Sequence, residues 1–345
     1  MPATTTPAGA TAHSGTTART GAGRRRTLAI LALIPTVAAL LLWTFAWPAA
    51  RIAPRDLPIG VAGPAAAAET VERELGRREG AFEIHRYEDG AAARAAVLDR
   101  EVYGAVVVTP GGTELLTASA ASPVVAGLLR EAVAARAPGG TAVSVTDVVA
   151  TPAGDPRGAV LGASLLPLAI VGAATGAAVV LLGLRGVRAT GVLVGASALA
   201  GLVGAVVAGS WLGALGGNWW AGAGVLGLTV LAIGATFAGL AALLGKPGLG
   251  LGAVLTVLAG NAFSGMSSAP ELLPTGIGAL GQWLPPGAGG AALRSVSSFE
   301  GAAAGGPLLV LTLWAVAGLA ATALGTRSDR SDAVPAPARA AVPAG

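Results

Sequence analysis

Cysteine is absent from the 345 residues. No disulfide, thiolate nucleophile or cysteine-ligated metal therefore enters any account of this chain. Histidine is nearly absent, with only His13 and His85. No His or carboxylate cluster at ligand spacing accompanies them, which argues against a metal centre; His85 reads as a half-exposed strand residue. Charge is scarce at 12% of residues. From 158 to 325 the only ionised side chains are Arg185, Arg188, Lys246, Glu271, Arg294 and Glu300. Lys246 is the sole lysine, and every other basic side chain is an arginine. With abundant Ala, Gly and Pro, that bias suggests a GC-rich bacterial genome.

What is present in excess is apolar sequence: 53% hydrophobic residues and a mean hydropathy of +0.70. The net charge of +4 and pI near 10.5 do not imply nucleic acid. The basic residues form no single patch and sit at the ends of apolar runs, where orientation signals belong. A span needs about 20 apolar residues at about 1.5 Å each to cross about 30 Å of hydrocarbon. Runs of that length occur at 27–47, 158–183, 189–211, 222–244, 248–267 and 306–325. The expected fold is thus an α-helical integral membrane protein with about six transmembrane helices. Membrane lipids are its first partners.

The sequence divides into a disordered tail (1–23), an anchor helix (27–47), an α/β domain (48–157), a five-helix bundle (158–325) and a second disordered tail (326–345). Arg24, Arg25 and Arg26 precede the first apolar run, as in a signal peptide or a twin-arginine signal. The run exceeds the usual signal-peptide core and Trp47-Pro48 makes a poor cleavage site, so it reads as an uncleaved anchor. With a cytoplasmic amino terminus, Arg185, Arg188, Lys246, Arg327 and Arg330 all fall inside, as the positive-inside rule requires. Trp43, Trp47, Trp211, Trp219, Trp220 and Trp283 fall near the outer interface, and Trp314 alone lies well within a span. Both termini are then cytoplasmic, and the α/β domain, inserted between helices 1 and 2, is extracytoplasmic.

Within 48–157, strands are expected at 57–62, 82–87, 103–108, 113–117 and 142–149. Helices are expected at 66–79, 91–100 and near 124–135. Period-2 alternation or unbroken β-branched runs mark the strands, and recurrences such as Ala67, Val71 and Leu75 mark the helices.

Chemistry is sparse. The segment 239–246 resembles a phosphate loop only superficially: its spacing is wrong and Pro247 stands where Ser or Thr is required. No paired carboxylates or nucleophile–base pair appears beside the spans, so neither an enzyme nor a cofactor is expected. No ionisable group sits inside a span to drive ion coupling. Asn261 and Ser264 are the candidate polar site of the bundle, although helix packing explains them as readily. The spacings Gly172–Gly176, Gly191–Gly195 and Gly209–Gly213 permit close helix approach. Residues 268–305, broken by Pro270, Pro274, Pro285 and Pro286, are too interrupted to span. They are expected to re-enter or lie along the outer leaflet, with Pro270, Glu271, Trp283, Pro285 and Arg294 as candidate residues; a long external linker is the alternative.

Leu57-Pro58-Ile59-Gly60-Val61 and Val102-Tyr103-Gly104-Ala105-Val106-Val107-Val108-Thr109-Pro110 carry a resemblance to a known family. So do Asn261-Ala262-Phe263-Ser264-Gly265, Pro270 and Leu284-Pro285. The layout over about 25–325 resembles the type 2 class of ABC export permeases, especially the YhgE/Pip-like branch. The resemblance implies a permease subunit in the bacterial cell membrane, exporting a hydrophobic or lipid-like compound. It also implies pairing, as a homodimer or with a homologous permease, and a separate cytoplasmic ATP-binding subunit. The loop that commonly contacts that ATPase is short here, at 184–189; Arg185 and Arg188 are the candidate ATPase-facing residues. The competing class is a non-transporting membrane scaffold or surface receptor acting through its external domain.

Overall fold

The computed structural model describes residues 16–135 and 143–331. The expected tails at 1–15 and 332–345, and the start of the last expected strand, lie outside the described residues. The chain divides after Trp47 into two compact units.

The first unit is built on helix α1 (Thr16–Ala49). Its segment Thr27–Ala49 has a mean hydropathy of 2.3. Thr36 and Thr44 return their hydroxyl hydrogens to the carbonyls of Ala32 and Leu40, at 2.8 and 2.7 Å, so neither interrupts the apolar surface. Trp43 and Trp47 stack at 5.3 Å. The helix begins at Thr16, inside the stretch expected to be a disordered tail. Once the apolar run has nucleated the helix, alanines and arginines propagate it.

The second unit has two layers. The first is a five-stranded mixed sheet in the order β2-β1-β3-β4-β5, made of β1 (Leu57–Ala62), β2 (Phe82–Tyr87), β3 (Gly104–Thr109), β4 (Gly112–Thr117) and β5 (Ser144–Asp147). β1 runs parallel to both β2 and β3, β3 pairs antiparallel with β4, and β4 is parallel to β5. Helix α3 (Gly90–Leu98) covers one face through Ala93, Ala96 and Val97. Helices α2 (Ala65–Gly76) and α4 (Pro123–Ala134) cover the other through Val71, Val125 and Leu129.

The second layer is helical. α5 (Ala159–Leu181), α6 (Gly186–Ala205, continued by a wider π turn, Val206–Trp211) and α7 (Trp219–Leu244) are followed by α8 (Lys246–Gly252). Asp155 starts α5 by accepting from Ala159 N–H and Val160 N–H, both at 2.8 Å, which satisfies two otherwise orphaned donors of its first turn. A second π segment, Ala253–Ala259, joins α8 to α9 (Gly260–Ala262). A 3-10 turn (Pro270–Leu272), α10 (Ile277–Gln282), α11 (Pro285–Ser298) and α12 (Gly305–Ser331) complete the unit. α7 is the central helix and packs against α5, α6, α11 and α12. Its close neighbours are bridged by glycines: a Cβ on Gly176 would lie 2.4 Å from Gly234 O, and one on Gly318 2.4 Å from Ala235 C.

Among the described residues, five helical segments are long and apolar enough to cross a membrane: Thr27–Ala49, Ala159–Leu181, Gly186–Trp211, Trp219–Leu244 and Gly305–Gly325. The chain thus has the make-up of a multi-pass α-helical membrane protein. The segment expected to span at 248–267 differs. It is helical only from Lys246 to Ala262, about 25 Å at 1.5 Å per residue, short of the roughly 30 Å of a hydrocarbon core. It still runs from beside Leu240, near the far end of α7, to beside Pro286 at the start of α11. The second expected tail also begins in helix, since α12 continues to Ser331.

Candidate functional site

The two layers of the second unit meet at the amino ends of β1 and β3. Ala53 N–H donates to Leu272 O at 3.1 Å and Arg55 N–H to Glu271 O at 2.9 Å. The Arg55 guanidinium then donates to Leu272 O and Leu273 O, both at 2.9 Å. Ala269 and Leu272 enter the sheet core on the α2/α4 side, while Phe299 enters it on the α3 side. The 3-10 turn and the residues after α11 therefore grip opposite faces of one sheet.

Between these grips lies a cleft of about 200 Å³ lined by Arg100, Tyr103, Ser264, Glu271, Gln282 and Arg294, with Pro58, Met266 and Pro270 as apolar walls. Open α/β sheets usually bind ligands beyond the carboxyl ends of their strands. Here the cleft is at the amino ends, and its floor comes from the helical layer.

Each polar wall has a local cause. α3 ends in a motif where Glu101 N–H donates to Ala96 O at 2.9 Å and Arg100 N–H to Val97 O at 3.3 Å. This closure puts Arg100 at φ 63°, a left-handed position that glycine usually fills and that costs another residue about 1–2 kcal/mol. The Arg100 side chain donates to Ser295 Oγ and to Ala291 O, the latter at 3.1 Å. Its guanidinium carbon stands 5.3 Å from the centre of the Phe299 ring. Burial lowers the Arg100 pKa, while Tyr103 and Glu271 oppose that shift.

Arg294, on α11, is only 4% exposed. It donates to Met266 O at 3.1 Å, and its buried Nε has no partner. Burial pushes its pKa down to about 10, so it stays charged at neutral pH. Tyr103 donates to Glu271 Oε2 at 2.8 Å; burial first, then the Glu271 charge, push the phenol well above its ordinary range. Gln282 donates to Ser264 O at 2.8 Å and ties α10 to the end of α9.

Of the residues singled out from the sequence, Ser264, Pro270, Glu271 and Arg294 line this one cleft. Asn261 is not among its lining; its amide donates to Val257 O at 2.9 Å, back along its own helix. Trp283 and Pro285 stand at the junction of α10 and α11 and are not among the cleft's lining. Trp283 O accepts from the Trp314 indole at 2.8 Å, about 13 Å along α12 from its start. The α10–α11 segment therefore enters the bundle rather than lying over it. Arg185 lines a different groove, of about 430 Å³, between the far ends of α5, α7 and α12, with Gly183, Leu184, Ala241 and Thr322. Arg188 is exposed on the first turn of α6. Arg100, Tyr103 and Gln282 were missed as site residues.

Among the described residues no group of three or more His, Cys, Asp or Glu could hold a metal ion. No protein-family model matches the chain, and neither the curated proteins nor the solved structures searched yield a match.

Proposed function

We propose that this chain is the membrane-spanning permease subunit of an exporter in a bacterial cell membrane, driven by a separate cytoplasmic ATPase. In this reading the sheet layer lies outside, both termini lie inside, and the chain pairs with a second copy or a homologue. It performs no covalent chemistry. It moves a hydrophobic or lipid-like compound outward.

The observation that carries the reading is a continuous mechanical path along α7. At its amino end the helical layer is bolted to the sheet through Tyr103–Glu271 and Arg100–Ser295. At its carboxyl end α7 walls the groove that contains Arg185. A tilt imposed at the groove would be felt at the cleft, because α11 and α12 both pack on α7. An external energy source fits the spans, which carry no ionisable group apart from Arg188 in the first turn of α6. Ion-driven carriers keep such groups within their spans. Exposed Trp211 and Trp220 at the sheet end of the bundle suit an outer aromatic belt.

The scaffold or receptor reading is favoured by one feature. Only residues 182–185 separate α5 from α6, a small platform for an ATPase. Affinity purification of the tagged chain in mild detergent, with mass spectrometry and an ATPase assay, separates the two. A stoichiometric nucleotide-binding subunit supports the permease. A preparation without one, even after crosslinking in intact cells, leaves the receptor.

A further inference from the structure

We propose that the cleft between the sheet and α11 binds a single anionic head group, a phosphate or a carboxylate, between Arg100 and Arg294. The proposal goes beyond the transport reading and does not depend on it, because a receptor could hold such a ligand equally well.

Charge is the first argument. Two guanidinium groups line the cleft, and no carboxylate lies within ion-pair distance of either among the described residues. Of the two acidic side chains that also line it, Glu271 accepts from Tyr103. Glu101 is exposed and accepts from the Tyr87 hydroxyl at 3.2 Å. The half-buried and buried part of the cluster thus carries two positive charges against one negative. A buried charge is costly unless it is paired, and a bound anion would supply the missing pairing.

Donor capacity is the second. Guanidinium offers five N–H donors in a fixed fork that matches carboxylate and phosphate oxygens. Arg294 uses that fork for one bond to Met266 O, and its Nε, though buried, makes none. Burial also depresses its pKa, a shift that a nearby anion would reverse.

Backbone strain is the third. Arg100 occupies a left-handed position that glycine would take without penalty. Such strain persists where the surroundings over-determine it, and it clusters at ligand sites. Here the side chain is held by Ser295, Ala291 and Phe299, which aligns it with the same wall as Arg294.

Size fixes the ligand class. At about 200 Å³, the cleft is below the roughly 300–1,000 Å³ of pockets that enclose drug-sized molecules. It has room for an anionic head and its first carbons against Pro58, Met266 and Pro270, but not for a nucleotide. The head group of an anionic lipid and a small soluble anion share this chemistry.

The test uses the purified full chain. Isothermal titration with inorganic phosphate probes the soluble source. Native mass spectrometry from nanodiscs of phosphatidylcholine with or without phosphatidylglycerol probes the lipid source. The variants are Arg294→Gln and Arg100→Gly; the second removes the side chain while fitting the backbone, so it keeps the test alive if the first fails to fold. Expected is saturable binding of one anion per chain, weakened at least about tenfold in Arg100→Gly, measured on chain that still unfolds cooperatively. Binding of phosphate alone assigns a soluble anion, and retention of phosphatidylglycerol alone assigns a lipid head. Binding of neither probe, or equal binding by wild type and Arg100→Gly, overturns the proposal.

Discussion

Tyr103, at the entry to β3, donates its phenolic hydrogen to Glu271 Oε2 at 2.8 Å, across 168 positions of sequence. This bond joins the sheet to the helical layer at the point where both contribute to the cleft. Replacement by Phe leaves the half-buried Glu271 carboxylate without this donor. Hydrogen bonds to charged groups contribute about 1.5–3 kcal/mol, and Tyr103→Phe is expected to lose about that much stability in thermal unfolding. Glu271→Gln in the same background should add little, because the two positions share one interaction.

The same tyrosine gives a pH signature. Burial and the Glu271 charge raise its pKa, and Tyr87 is raised by burial and Glu101. These two are the only tyrosines. Ultraviolet titration of the folded chain should therefore show both phenolates forming above the ordinary value of about 10, Tyr103 last. A folded pKa above the unfolded one means that the native state holds the proton longer. The associated stability is complete below about pH 10 and is lost as pH rises beyond it. A normal phenolate transition in the folded protein would contradict this arrangement.

Arg55 yields a prediction about geometry rather than charge. Its Nη1 donates to Ala53 O at 3.0 Å and to Leu272 O and Leu273 O, both at 2.9 Å, while Nη2 donates to Arg51 O at 2.9 Å. Lysine keeps the charge but has a single compact head in place of the planar fork. Arg55→Lys should behave nearly as badly as Arg55→Ala, with faster amide exchange at Leu272 and Leu273. Full protection in the lysine variant would show that charge alone suffices.

How much of this was legible in the sequence depends on the range of the interaction. β1 and β2 occupy 57–62 and 82–87, as the local pattern implied, since alternation and β-branching act over a few residues. Arg294 and Glu271 stood out as charges in an apolar stretch. Arg100 did not, because it closes the expected helix 91–100 among the alternating charges Asp99-Arg100-Glu101, where an arginine is ordinarily solvated. Its partner Ala291 lies 191 positions away, and no local pattern encodes that meeting. The segment 248–267 was legible only in part for the opposite reason: hydropathy reports solubility in lipid and runs on to 267, whereas the helix ends at Ala262 and the chain turns at Gly265, φ 66°. The glycine pairs were equally ambiguous, and only packing tells them apart.

That ambiguity becomes a comparison. A Cβ on Gly172 would lie 2.8 Å from Ile233 Cβ and one on Gly176 2.4 Å from Gly234 O, whereas Gly191 and Gly195 have nothing within 4 Å. Gly176→Ala forces α5 away from α7, and overpacking of this kind costs about 1–3 kcal/mol. Gly191→Ala meets open space and gains the better helix former. Thermal unfolding in detergent should show a clear loss for the first and no loss for the second. Equal losses would mean that α6 is covered at Gly191, for instance by a second copy.

Arg185 and Arg188 offer the sharpest test of the proposed ATPase coupling. Arg185 borders the groove between α5, α7 and α12, and Arg188 is exposed one turn into α6. Arg188 is exposed and outside the buried core, so its reversal to Glu should leave the melting temperature nearly unchanged, as surface substitutions do; Arg185→Glu is read beside its own melting curve, which separates a local loss of stability from a lost partner. A partner that meets these arginines with acidic side chains would then face like charges, a juxtaposition that costs several kcal/mol. Since each 1.4 kcal/mol is about tenfold in affinity, copurification of the ATPase should fall by at least about tenfold while the fold persists. Simple orientation signals would behave differently: reversal would disturb membrane topology, visible by accessibility labelling at the α5–α6 turn, before it altered any partner. Intact topology with undiminished ATPase recovery would remove both arginines from the interface and turn the search toward the Lys246 side of the same groove.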